Sequence, residues 1–352
     1  MTAAKFDFSR GRPSSRRPFL LASVLLLMLG ALPDAHAATL QVGSTRRFTS
    51  LSSALAHARR GDRIVLAAGT YHDCAVIAVD DLTIEGAGSN TIVTGPACDN
   101  KALLVVTASH VTLRNFSLNR ALNSTGDAAG IRLEGADLTV EHLRLTGNQT
   151  GIVANASPES SLIVRDSEFL QNGACTDPSH SETCAGGISA DRIKLLQIER
   201  SRFFETHFGS HIKSRAARTE VLNCDLQDGA RGNSRYQIEL PIGGALLARG
   251  NVIEKGPLSQ KPEAAINIGT EGVAQPTPWI VVSRNNFAVM ATYDSIFVRN
   301  ATETLAMLSG NRLRGLTGAT PAPALQTPML AMPSTESPQP QAQPLQGPGQ
   351  VE

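Results

Sequence analysis

The sequence predicts an all-β fold, a single parallel β-helix, and three observations predict it. First, a short phrase recurs nine times: an apolar residue, a small polar residue a few positions on, then another apolar residue. The copies begin at Ile84, Leu113, Val140, Val164, Ile198, Leu222, Ala248, Val282 and Leu308, between 24 and 34 residues apart. A repeat of that length cannot bury its own apolar face and must stack on its neighbours as a solenoid. Second, the copies alternate apolar and polar residues and carry Gly, Asn and Asp at their joints, the pattern of short strands with sharp corners. Third, a parallel ladder of isoleucines runs beside the first: Ile131, Ile152, Ile188, Ile212, Ile238, Ile266 and Ile296. If these stack in the core, the next residues form an outward column of Arg132, Val153, Ser189, Lys213, Glu239, Asn267 and Phe297, on the kind of flat sheet that solenoids use for binding.

Residues 1–37 read as an export signal. Arg10, Arg12, Arg16 and Arg17 make a basic start, Phe19 to Leu32 is an apolar run, and Ala35-His36-Ala37 fits a small-x-small cleavage site. The apolar run is shorter than the ~20 residues that span a bilayer, so no membrane span is expected in the mature chain. Ser15-Arg16-Arg17-Pro18-Phe19-Leu20 has the form of a twin-arginine signal, with an ordinary Sec signal as the alternative. Thr49 to Arg60 reads as a short amphipathic helix: Ser50 or Thr49 can cap it, and Leu51, Ala54, Leu55 and Ala58 share one face. Such a helix would cover the open end of the solenoid. The β-helix is expected over residues 38–316. Beyond it, 317–352 holds eight prolines and no aromatic residue, a composition expected to stay disordered.

The whole chain carries 32 basic and 31 acidic residues. Setting aside the five basic and two acidic residues of the signal leaves 27 and 29, a formal charge of −2. No global basic field points to nucleic acid. The chain is expected to be a monomer, exported to the periplasm or secreted. Five cysteines suit an oxidising compartment. Cys74 and Cys98 lie about one coil apart and are expected to bridge, Cys175 and Cys184 to close the polar insertion between them, and Cys224 to be a buried free thiol. The cysteines lack zinc-site spacing, so no resident metal is expected. Calcium is the one ion a uronate-active protein would use, with Asp225, Asp228 and Glu239 as ligands to consider.

The stretch TSLSSALAHARRGDRIVLAAGTY, from Thr49 to Tyr71, resembles the entry of the pectin-lyase-like right-handed parallel β-helix proteins, with their small-residue helix, Gly-Asp, apolar strand and Ala-Gly-x-Tyr. The resemblance covers roughly residues 38–316. It implies the fold and its hand, which the crossover rule for parallel strands also favours. It does not imply one activity, since the superfamily holds lyases, hydrolases, epimerases, esterases and non-catalytic proteins.

One segment concentrates chemistry: Gly209-Ser-His-Ile-Lys-Ser-Arg215, followed a coil later by Arg235-Tyr-Gln-Ile-Glu239. The isoleucine register sets Lys213 beside Glu239 and His211 beside Gln237. Arg215, Arg218, Arg231 and Arg235 add a local basic patch that suits an anionic polysaccharide. β-Elimination of a uronate requires its carboxylate to be neutralised, a base near C5 and an acid for the leaving oxygen. Lys213, Glu239 and Tyr236 are the catalytic candidates, with Lys213 a base if neighbouring cations depress its pKa. His211, Arg215, Arg235 and Asn267 are the substrate-binding candidates. Lys213-Ser214 is also similar to the Lys-Ser step of the alginate-lyase and chondroitinase-B branch. Glu239 stands where that branch has the Arg of an Arg-His-Gly, a tripeptide absent from this chain. An inverting hydrolase would need paired carboxylates, and the lone Asp80-Asp81 lies in the entry coil. The scarcity of aromatic residues, with one Trp and three Tyr, argues against stacking platforms for neutral sugars. Two readings follow: a lyase on a uronic-acid polymer, or a non-catalytic exported β-helix that binds a glycan or an envelope partner, with Lys213 and Glu239 then a surface ion pair. Loops at 173–186 and 256–263 would distinguish them if they wall the Lys213–Glu239 face.

Overall fold

The computed structural model describes residues 37–173, 185–315 and 320–326. The expected export signal and most of the tail lie outside these residues, as do Cys175, Cys184 and most of the 173–186 loop. The chain winds through three parallel sheets. The first has eleven strands, from Thr39–Val42 to Ala306–Ser309; the second has ten, from Gly69–His72 to Arg312–Gly315; the third has ten, from Ala75–Ile77 to Pro321–Gln326. From Arg63–Leu66 onward successive strands pass to successive sheets, so neighbours within a sheet are one coil apart, and the strand pairings are parallel.

The recurring phrase is the bend from the first sheet into the second. Eight of the nine copies, all but the one at Ile84, place one residue in the left-handed region: Asn115 (φ 62°), His142 (50°), Asp166 (49°), Arg200 (47°), Asn223 (54°) and Arg284 (56°), with Gly250 and Gly310 where no Cβ strain arises. The next residue turns inward and ties coil to coil. Asn251 Oδ1 accepts from the Cys224 amide at 2.8 Å, Asn285 Oδ1 from that of Asn251 at 2.9 Å, and Asn311 Oδ1 from that of Asn285 at 3.0 Å. The backbone polar groups exposed by the bend are thereby satisfied inside the solenoid. Register places the sixth copy at Val221, not Leu222: Val221 pairs with Ile198 and Ala248 and is wholly buried.

The isoleucine ladder is in register from Ile131 to Ile266. Its last rung is Val298, because Ile266 pairs with Val298 while Ile296 pairs with Ala264. The outward column therefore ends on Arg299, and Phe297 is core, stacked on Phe287 at 5.1 Å. The cause is local. At the last four rungs the residue before the ladder position also turns inward, as His211, Gln237, Ala265 and Phe297 all do, so strict period-two alternation slips by one within the strand.

At the N-terminal end, helix α1 (Leu51–Leu55) is capped by Ser50, whose Oγ accepts from the Ser53 amide at 3.1 Å. Leu51, Ala54 and Leu55 are buried, while Ala58 lies beyond the helix, which stops before Gly61. Cys74 and Cys98 are joined by a disulfide, with a Cα–Cα distance of 5.4 Å. The solenoid does not end at residue 316. Pro321–Gln326 forms the last strand of the third sheet, paired with Ser295–Asn300. As the edge strand it can accommodate Pro321 and Pro323, since a missing amide on an unpaired edge leaves nothing unsatisfied. Ending the chain at Gly315 should therefore lower the thermal midpoint, by about 2–4 °C for each kcal/mol of lost edge packing. An unchanged midpoint in a thermal scan would show that this strand adds no stability.

Candidate functional site

On the outer face of the third sheet, Ser189, Lys213, Glu239, Asn267 and Arg299 stand in one column on successive coils, spaced by about 4.8 Å per coil. Two loops border it. The 256–263 loop is fastened to the coil of Arg235 and Tyr236: Ser259 Oγ donates to the Ser234 carbonyl at 3.0 Å, and Glu263 Oε1 accepts from the Tyr236 hydroxyl at 3.1 Å. On the other side, the 269–279 loop is anchored by backbone bonds from Glu271 to Pro241 and from Ala274 to Ile242. Glu239 and Asn267 are thereby only 2% and 1% exposed, although their side chains face outward.

Lys213 and Glu239 do not form the expected ion pair. Glu239 Oε2 accepts from Ser210 Oγ at 2.6 Å. The Lys213 ammonium instead faces Glu271 Oε1 at 3.7 Å, and Arg215 Nη2 donates to Glu271 Oε2 at 2.9 Å. The neighbour of Lys213 is thus a carboxylate rather than the cations that would make it a base. The Tyr236 hydroxyl is held protonated, its pKa raised by burial and then by the charge and hydrogen bond of Glu263. Asn267 Oδ1, whose Nδ2 donates to Thr270 Oγ1 at 2.6 Å, and Arg235 Nε are buried without partners.

His211 lies inside the solenoid and cannot touch a glycan on this face. It is wholly buried, with Nδ1 2.6 Å from Thr206 Oγ1 and Nε2 3.1 Å from Asp228 Oδ1. Asp228 also accepts from Ser234 Oγ, Gln237 Nε2 and the Gly256 amide. Burial alone would raise its pKa, but His211, Lys255 and the Gly256 amide together hold it below the ordinary carboxylate value. Among the described residues no three His, Cys, Asp or Glu side chains gather as metal ligands. Asp225, Asp228 and Glu239 do not converge: Asp225 faces Arg202 at 3.7 Å, Asp228 is interior and Glu239 is on the outer face. Cys224 is buried and its thiol pKa is pushed up to about 12 by burial, so it is not a nucleophile.

Four residues beside or beneath this column escape sequence reasoning: Lys255, Glu263, Glu271 and Arg299. Lys255 carried a signal, an inward strand position occupied by a lysine. Arg299 was hidden by the slipped alternation, and the two glutamates come from loops whose paths no period reveals.

No protein-family model matches the chain, and no curated protein sequence does. Solved structures share its architecture. An alginate lyase from Paenibacillus sp. str. FPU-7 superposes with a TM-score of 0.45 at 16% identity, over 82% of this chain and 98% of that one. Pectate lyase Pel9A gives 0.45 at 15% identity, over 82% and 78%. The A-module of the mannuronan C-5 epimerase AlgE4 of Azotobacter vinelandii gives 0.34 at 13%, over 78% and 90%. These are likenesses of backbone alone; the chain itself is a parallel β-helix of three sheets. Among the described residues no helix is long and apolar enough to cross a membrane.

Proposed function

We propose that the third sheet, between the 256–263 and 269–279 loops, is the groove of a lyase acting on a uronic-acid polymer. The observation that carries this reading is Glu271. Its carboxylate bridges Lys213 and Arg215 on the outer face, the contact a uronate carboxylate would make with the same two cations. A polymer carboxylate that displaces Glu271 comes to lie beside Glu239. Neutralised by Lys213, Arg215 and Arg235, it makes the C5 proton acidic. Glu239 then takes that proton, the electron pair forms the C4–C5 double bond, and the glycosidic oxygen leaves C4 with a proton from Tyr236. Asn267 Oδ1, an acceptor without a donor, is placed for a sugar hydroxyl.

The second reading, a glycan-binding module without catalysis, is favoured by the near-complete burial of Glu239 and by the Tyr236 hydroxyl being bonded to Glu263. Ultraviolet absorbance of unsaturated products on a panel of uronate polymers, with and without added calcium, separates the two. Binding without product leaves the module. Export belongs to the same proposal, supported by the basic and apolar start of the chain and by the Cys74–Cys98 disulfide, which suits an oxidising compartment.

Glu271→Gln gives a test of sign. Removing a competing carboxylate should tighten binding of a uronate oligomer about two- to fivefold by calorimetry, the worth of an exposed ion pair. Weaker binding would show that Glu271 contacts the sugar instead of excluding it.

A further inference from the structure

Beneath the groove lies a lysine that the proposed chemistry does not use. Lys255 ends the strand Val252–Lys255 and is wholly buried. Its Nζ donates to the Arg235 carbonyl at 2.8 Å and to the Lys261 carbonyl at 2.8 Å. One carbonyl belongs to the coil that carries Tyr236, the other to the loop that borders the groove. Among the described residues no ion pair holds the ammonium. Asp228 and Glu263 face it at longer range, and the Tyr236 ring centroid is 5.8 Å away. The same loop begins at Gly256, whose amide donates to Asp228 Oδ2 and whose carbonyl accepts from the Tyr293 hydroxyl at 2.5 Å.

We propose that Lys255 is a positioning residue for this face, its buried amino group, which has the two N–H donors needed whether charged or neutral, tying loop 256–263 to the coil of Arg235 and so fixing Glu263 and Tyr236 beside the outward column. An apolar side chain of similar length would fill the same space and leave both carbonyls without a donor, freeing the loop while the solenoid stays intact. The link between this tie and glycan binding rests on the function proposed above; the tie itself does not.

Protonation supplies a signature that packing alone would not. Burial lowers the Lys255 pKa from 10.5 to about 8, against the opposing charges of Asp228 and Glu263. Opening the loop returns the amine to water and to its ordinary value. Between those two values the open state binds the extra proton, so the closed state gains as pH rises, up to tenfold per pH unit, and gains nothing further below about pH 8. Asp228 is already ionised well below this window, and the Tyr236 and Tyr293 hydroxyls are raised above it.

The experiment is hydrogen exchange of the loop amides of Ser259 and Gln260, which bond to the Gly256 and Ser234 carbonyls, corrected for intrinsic rate, in the wild type and in Lys255→Met, from pH 7 to pH 10. The variant should lose protection tenfold or more in this loop and keep it in the strand Ala264–Ile268. Wild-type loop protection should rise above pH 8, and that of the variant should stay flat. A uronate oligomer should bind the variant severalfold more weakly. Equal loop protection in both proteins across the range overturns the proposal, as does a wild-type pH series without the rise, which decides the matter even if the variant fails to fold. If no uronate binds either protein while the exchange difference holds, the substrate reading falls and the tie stands.

Discussion

Replacing Ile212 by aspartate should leave no soluble folded protein. Ile212 is wholly buried and stacks between Ile188 and Ile238 on the adjoining coils. Its burial contributes roughly 1.5–3 kcal/mol. An aspartate there would also bury an unpaired carboxylate, at a further cost of several kcal/mol. Together these approach the ~5–15 kcal/mol that holds a domain folded. In a solenoid the damage also propagates, since each coil is stabilised by its two neighbours. Arg132→Asp, on the outward column, loses one hydrogen bond to the Asp127 carbonyl and should remain folded. Soluble yield and far-ultraviolet circular dichroism of the two variants check this. Equal loss in both would show that the column and the core ladder have been exchanged.

How much was legible follows from how much is repeated. Ile131, Ile152, Ile188, Ile212, Ile238 and Ile266 could be aligned by eye because every coil must bury the same position. The errors fall where repetition is degenerate. Val221 and Leu222 are both apolar, and sequence alone cannot say which one turns inward. Sequence alone extends the ladder to Ile296, because strict alternation hides that Phe297 and Val298 both point inward within one strand. Pro321 to Gln326 reads as disordered by composition, yet an edge strand requires little of composition beyond one paired side. In the groove, the Lys213–Glu239 adjacency was legible because it is a register fact. The true partner of Lys213 was not, because Glu271 arrives two coils later on a loop whose course is set by backbone bonds to Pro241 and Ile242. Tertiary contacts made by loops have no period, and the chemistry of this face depends on them.

Glu239→Gln should lower turnover on a uronate polymer by a factor of ~10²–10⁴, the usual size of a general-base contribution, with KM almost unchanged. Glutamine keeps the shape and can still accept from Ser210, so the groove stays formed while proton abstraction is lost. Lys213→Ala and Arg235→Ala should act differently. Each removes a cation that binds the substrate carboxylate, so KM rises, and rises most at low salt, where attraction between charges is least screened. The split between kcat and KM assigns the base. If Lys213→Ala lowers kcat with KM unchanged while Glu239→Gln turns over normally, the Lys-Ser step marks the base and Glu239 only positions Ser210. If both variants bind like the wild type and the wild type releases no unsaturated product, the groove is a binding surface and the polar column serves recognition alone.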